Sequence, residues 1–187
     1  MTSLHPSSLS ERIRNVTFIG NRGVGKTAIT RVFSEGVFPQ EYRPNMDRFT
    51  EGYVTHNNVR YTIKLYDTAG WDLHTNFLPP GIDGNTDAFV LVYSVVDQST
   101  FDHLLTHYKL LDINGLGNIP RLIVGNKVDL PERIVPAESG SALAAKLNSK
   151  YMECSALNPR DVSQVFITLL KMIEPNTDES NFTCCIL

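Results

Sequence analysis

The segment Gly20-Asn21-Arg22-Gly23-Val24-Gly25-Lys26-Thr27 restricts the fold of this chain more than any other. It fits the pattern GxxxxGK[ST]. Val16 to Ile19 form a short apolar run ahead of it, and residues from Lys26 to Glu35 show helical spacing behind it. A strand therefore has to feed a glycine turn that opens at once into a helix, an arrangement at home in a parallel sheet packed with helices. Without Cβ atoms in the way, successive N–H groups of such a turn curl around an anion, and the positive end of the helix dipole faces the same point. Gly20 to Thr27, with Ala28 behind them, are accordingly candidate phosphate contacts. Lys26 is expected to reach β- and γ-phosphate oxygens, and Thr27 to offer its hydroxyl to Mg2+.

The rest of the chain keeps the same alternation. Tyr53 to His56 and Val59 to Tyr66 flank Asn57-Asn58, a pair suited to a tight hairpin between antiparallel strands. Three apolar strands follow, Ala88 to Ser94, Arg121 to Gly125 and Tyr151 to Cys154. Helical stretches over Thr100 to Ile113, Ala137 to Ser149 and Arg160 to Ile173 lie between or after them. The pattern predicts an α/β fold with a six-stranded, mostly parallel sheet, one antiparallel strand and helices on both faces. A chain of 187 residues, 42% of them hydrophobic, suits one such domain. Residues 1–14 read as a polar extension, 15–173 as the domain, and 174–187 as a short flexible tail.

Charge and cysteines exclude several classes. With 17 basic and 20 acidic side chains the net charge is −3, which provides no electrostatic footprint for nucleic acid. Cys154, Cys184 and Cys185 match neither a disulfide framework nor a zinc site. The longest apolar run, Ala88 to Val96, falls far short of the roughly 20 residues of a membrane helix. The leading residues lack a signal core, and Thr2 does not permit N-myristoylation. A monomer on the cytosolic side is expected.

Two further motifs define the ligand. Asp67-Thr68-Ala69-Gly70 ends an apolar strand, where the carboxylate can hold Mg2+ through water and the Gly70 amide can meet a γ-phosphate. Asn126-Lys127-Val128-Asp129 follows another strand. A carboxylate at Asp129 accepts both the ring N–H and the exocyclic amine of guanine, which favours GTP over ATP.

With these motifs in this order, the chain resembles the Ras superfamily of small GTPases over Val16 to Ile173. The resemblance implies a P-loop NTPase G domain that binds GTP or GDP with Mg2+ and acts as a signalling switch. It extends to Cys154-Ser155-Ala156-Leu157, where Ala156 looks like the backbone donor to the guanine carbonyl. Phe38 looks like the aromatic packed on the guanine, Lys127 like the stem over its other face, and Tyr42 like the switch tyrosine. Effectors are expected on Gln40 to Thr50 and Thr68 to Asn85, together with an exchange factor and a prenyl-binding chaperone. The segments Val32 to Pro44 and Tyr151 to Ala156 look Rho-like, whereas Arg22 and Leu91 to Ser94 look more like Rheb.

Three positions depart from the family pattern. Arg22 replaces the usual glycine near the γ-phosphate, and Asn45 replaces a threonine that serves both Mg2+ and the γ-phosphate. Trp71 replaces the glutamine that orients the attacking water, and an indole with one N–H donor cannot supply that amide geometry. With Lys26 and Gly70 retained, these changes imply a GTP hydrolase of slow turnover. Two other readings remain open: a pseudo-GTPase interaction module insensitive to the γ-phosphate, and a conventional cycling enzyme in which a group such as His74 holds the water.

Cys184-Cys185-Ile186-Leu187 fits a CaaX box whose last residue specifies geranylgeranylation of Cys184. Glu174, Asp178 and Glu179 precede it in place of a polybasic run, so the membrane anchor would be a single prenyl chain and reversible. His103 and His107 lie four apart on a helical stretch without the carboxylate of HExxH, and read as a solvated face.

Overall fold

The computed structural model describes residues 10–41, 48–70, 78–79, 82–175 and 182–184. Along them the chain runs β1 (Ser10–Ile19), α1 (Lys26–Glu35), β2 (Arg48–His56), β3 (Val59–Asp67), β4 (Ala88–Ser94), α2 (Gln98–Asp102) and α3 (Leu104–Ile113). It continues through β5 (Arg121–Asn126), α4 (Ala137–Lys146), β6 (Lys150–Cys154), α5 (Pro159–Ile173) and β7 (Phe182–Cys184). The strands form one sheet in the order β6-β5-β4-β1-β3-β2-β7. β1 is parallel to β3 and β4, and β4-β5-β6 continue in parallel, while β2 opposes both of its neighbours.

β4 shows why the apolar runs are continuous rather than alternating. Ala88, Val90 and Val92 join a cluster with Ile29 and Phe33 of α1 and Val165 and Phe166 of α5. Phe89, Leu91 and Tyr93 join a second cluster with Leu104, Leu111 and Ala144. A central parallel strand covered by helices on both faces needs apolar residues in every position. Across the first cluster Phe33 stacks on Phe166, with ring centroids 3.5 Å apart, and fastens α1 to α5.

The sheet departs from expectation at both ends of the chain. Among the described residues it has seven strands instead of six, because Phe182–Cys184, within the stretch read as a flexible tail, pair antiparallel with Val54–His56 on the outer edge of β2. β1 begins at Ser10 and not at Val16, since Ser10 to Asn15 pair with Val59 to Lys64. Residues 10–14 of the polar extension therefore belong to the sheet. Arg12 donates to Glu174 at 2.9 Å, and Arg14 pairs with the same carboxylate. These bonds join the start of β1 to the end of α5.

The helix expected over Thr100 to Ile113 is divided at His103. It starts earlier, at Gln98, because the Asp97 carboxylate accepts from Ser99 N and caps α2. Among the described residues no helix is long and apolar enough to cross a membrane.

Candidate functional site

The phosphate-loop motif leaves the carboxyl end of β1 and enters α1 through Gly25, whose φ of 99° lies in the left-handed region. A Cβ on Gly25 would sit 2.1 Å from Asn126 Nδ2, so glycine is required by space as well as by backbone. Asn126 donates to Val24 O at 2.9 Å and accepts from Ala156 N at 3.1 Å. One buried side chain thus joins the phosphate loop, β5 and the Ser155-Ala156-Leu157 loop. Asp129 Oδ1 accepts from Ser155 Oγ at 2.6 Å, and Ser155 N donates to Asp161 Oδ2 at 2.9 Å. Lys127 holds φ at 71°, an uncommon conformation for a side-chain-bearing residue and one that clusters at functional sites.

These loops enclose a cleft of about 880 Å³ at the carboxyl ends of the strands, where open α/β sheets hold their ligands. Of the candidates read from the sequence, Arg22, Gly23, Gly25, Lys26, Thr27, Ala28, Phe38, Gly70, Asn126, Lys127, Asp129, Ala156 and Leu157 line it. Gly20, Asn21, Val24 and Ser155 are not part of the lining. Val24 is fully buried, and Asn21 is bonded to His103. Tyr42, Asn45, Trp71 and His74 lie outside the described residues. Arg31, Val37 and Leu130 also line the cleft and were not singled out in the sequence, since none belongs to a motif.

Two contacts define the phosphate end. Lys26 Nζ donates to Gly20 O at 2.8 Å and Asn21 O at 3.0 Å, which holds the ammonium across the loop. Thr27 Oγ1 donates to Asp67 Oδ2 at 2.5 Å. A hydroxyl beside a carboxylate is a hard oxygen pair of the kind Mg2+ accepts. Mg2+ takes six oxygen ligands, so an ion on this pair would draw the others from phosphate and water. The donor set fits a cation held jointly with a nucleotide.

Gly70 approaches the phosphate loop closely. A Cβ on it would lie 2.1 Å from Arg22 Cγ and 2.5 Å from Arg22 Cα. The Arg22 side chain consequently covers the turn that follows Asp67.

Behind the loop the structure corrects one reading. His103 and His107 do not form a solvated face: His107 is completely buried, and His103 Nδ1 lies 2.8 Å from Asn21 Nδ2. Burial, with smaller effects from the neighbouring His103 and Lys26, pushes the His107 imidazole down to about 4. At the other end of the cleft, burial drives the Cys154 thiol up to about 12, with Asp161 and Asp129 adding to the effect. It is a packing residue and not a nucleophile.

The Ras family model matches residues 15–175. The chain belongs to the Ras family. It is similar to the GTP-binding protein Rheb of Homo sapiens, with 37% identity over 155 residues, 82% of this chain and 84% of that one. The GTP-binding protein Rheb of Rattus norvegicus is 33% identical over 179 residues, 93% of this chain and 97% of that one. A GTP-binding protein Rheb homolog of Drosophila melanogaster is 36% identical over 163 residues, 86% and 89% of the two chains. This Ras-family chain is Rheb-like, and its mostly parallel sheet is that of a small GTPase domain.

Proposed function

We propose that the cleft binds GTP and GDP with Mg2+, and that the chain is a membrane-associated signalling switch whose GTP hydrolysis is slow. The Asn126 bonds to the phosphate loop and to Ala156 support guanine-nucleotide binding, because they hold both ends of the cleft in one register. In this reading N–H groups of the phosphate loop and Lys26 neutralise the phosphates, Asp129 accepts from guanine, and Phe38 and Lys127 sandwich the base. Thr27, and Asp67 through water, would hold the Mg2+, with Asn45 as the further ligand expected from the sequence. When bound, the ion supplies positive charge against the β- and γ-phosphate oxygens.

Slow hydrolysis rests on the contact between Arg22 and Gly70. In this reading the Arg22 side chain fills the space near the γ-phosphate that a helper protein's arginine would need, and Trp71 offers no amide to hold the water. In Ras, assistance of this kind raises turnover about 10⁵-fold, or about 7 kcal/mol of barrier. Single-turnover hydrolysis of loaded GTP tests the reading. The double variant Arg22→Gly/Trp71→Gln should be at least about tenfold faster than the parent chain, since each positioned donor is worth that much or more. A parent chain already as fast as the variant overturns it.

Membrane association in this reading comes from a geranylgeranyl group on Cys184, a single chain that gives reversible binding. Cys184→Ser should move the protein to the soluble fraction, and unchanged partitioning would remove the anchor from the proposal.

A further inference from the structure

β2 would be the outer strand of the sheet were it not for β7, and an outer strand leaves a row of unpaired N–H and C=O groups unless something covers it. Here the cover is the chain's own strand, with Phe182 opposite His56, Thr183 opposite Thr55 and Cys184 opposite Val54. Phe182 and Cys184 pack against the cluster shared by α1 and α5, whereas Thr183 is exposed. The Phe182 ring meets His56 edge-on at 4.0 Å and lies 5.4 Å from Lys171 Nζ. Val54 and His56 are buried, at 0% and 2% exposure, even though they stand at this edge. The bonds from Arg12 and Arg14 to Glu174 fix the point at which the chain leaves α5. The segment is thus held before and within the stretch that carries Cys184.

We infer that Val54–His56 is a docking surface for the strand Phe182–Cys184, and that docking withholds the Cys184 thiol from modification. For its biological consequence the inference rests on the geranylgeranylation reading. In that reaction Cys184 Sγ attacks the first carbon of geranylgeranyl diphosphate. A C–S bond forms, the C–O bond to diphosphate breaks, diphosphate leaves and the thiol proton passes to water. A peptide presented to an enzyme's groove has to bring its backbone with it. Backbone groups engaged by β2 are not available for that, and the sulfur is turned toward the packed face. Modification therefore draws on the undocked fraction, and the local stability of β7 sets its rate.

Two measurements on the full chain test this. In the background Cys184→Ser/Cys185→Ser, the pair Thr55→Cys/Thr183→Cys should form a disulfide under mild oxidation, since these positions face each other across the ladder. No cross-link would overturn the docking. In the background Cys185→Ser, Cys184 should react with a maleimide at least about tenfold more slowly than in the unfolded chain, as expected for a group exposed only by local opening. Phe182→Ala should recover most of that rate, with labelling read at Cys184 alone by peptide mass spectrometry, because Cys154 is buried in the fold but exposed in the unfolded chain. Equal rates in the folded and unfolded chain overturn the withholding. Purified geranylgeranyl transferase then separates the two ideas. Protection from maleimide with no prenyl transfer, even for Phe182→Ala, refutes the lipidation reading and leaves the docking standing. Prenyl transfer equally fast in the parent chain and in Phe182→Ala refutes the control by docking.

Discussion

Replacing His107 with leucine should remove much of the acid sensitivity of this protein. The imidazole titrates near 6.5 in an unfolded chain and is pushed down to about 4 in the fold. Between those values the unfolded state takes up a proton that the folded state refuses. Stability attributable to His107 is therefore intact above pH 6.5, falls as the pH drops toward 4, and falls no further below it. The full loss is about 3 kcal/mol, of which about 2 kcal/mol appears between pH 7 and pH 5. Leucine suits the site, because His107 shares the buried side of its helix with Leu104, Leu110 and Leu111. Urea unfolding of parent and His107→Leu at pH 7, 6 and 5, at fixed nucleotide and Mg2+, measures the difference directly. The curves should separate by about 2 kcal/mol more at pH 5 than at pH 7, or about 4–8 °C in midpoint temperature for a chain of this size. Other acid-titrating groups cancel in the comparison. An equal loss in both proteins would refute the account, since it would mean that His107 is protonated in the fold or that the core admits water to it.

Other outcomes follow from the loop contacts. Asn126→Ala leaves the Val24 carbonyl and the Ala156 N–H without their partner. Each orphaned group costs about 1–3 kcal/mol, so release of a fluorescent GDP analogue should accelerate at least about tenfold. For Asn21 and His103, 2.8 Å apart, a double-mutant cycle with alanine should show about 1 kcal/mol of coupling in GDP affinity and none in guanosine affinity. Additive effects, or equal effects on both ligands, would mean that this bond does not position the phosphate loop.

The motif-bearing half of the site was legible because its constraints are local. Asp67 and Asn126 end strands, Gly25, Lys26 and Asp129 lie in or next to the loops that follow strands, and the structure gathers all but Asp67 into the cleft lining, with Asp67 bonded to Thr27. β7 was not legible, because three residues have no period to read and its pairing depends on an edge more than a hundred positions away. The first half of β1 escaped for a related reason. Its polar side chains are partly exposed, and β3 provides the hydrogen bonds. The burial of His107 did leave a signal. Spacings of three and four from Leu104 and Leu111 place it on the apolar stripe, a clue that outweighs its polarity. Its distance from any metal-binding pattern had suggested solvent, whereas position on the helix decided the matter.

The central place of β1 has a kinetic consequence. Its partners arrive late in the chain, about 50 positions on in β3 and about 70 in β4. Closing loops of that length costs little in equilibrium stability but slows folding, because parallel pairing gains nothing until both ends have met. The phosphate loop hangs from the end of β1 and takes its shape only after those closures. A ligand of that loop consequently recognises a late product of folding. It should leave the refolding rate unchanged and act almost wholly by slowing unfolding, so that the protein's lifetime follows ligand supply while its assembly does not.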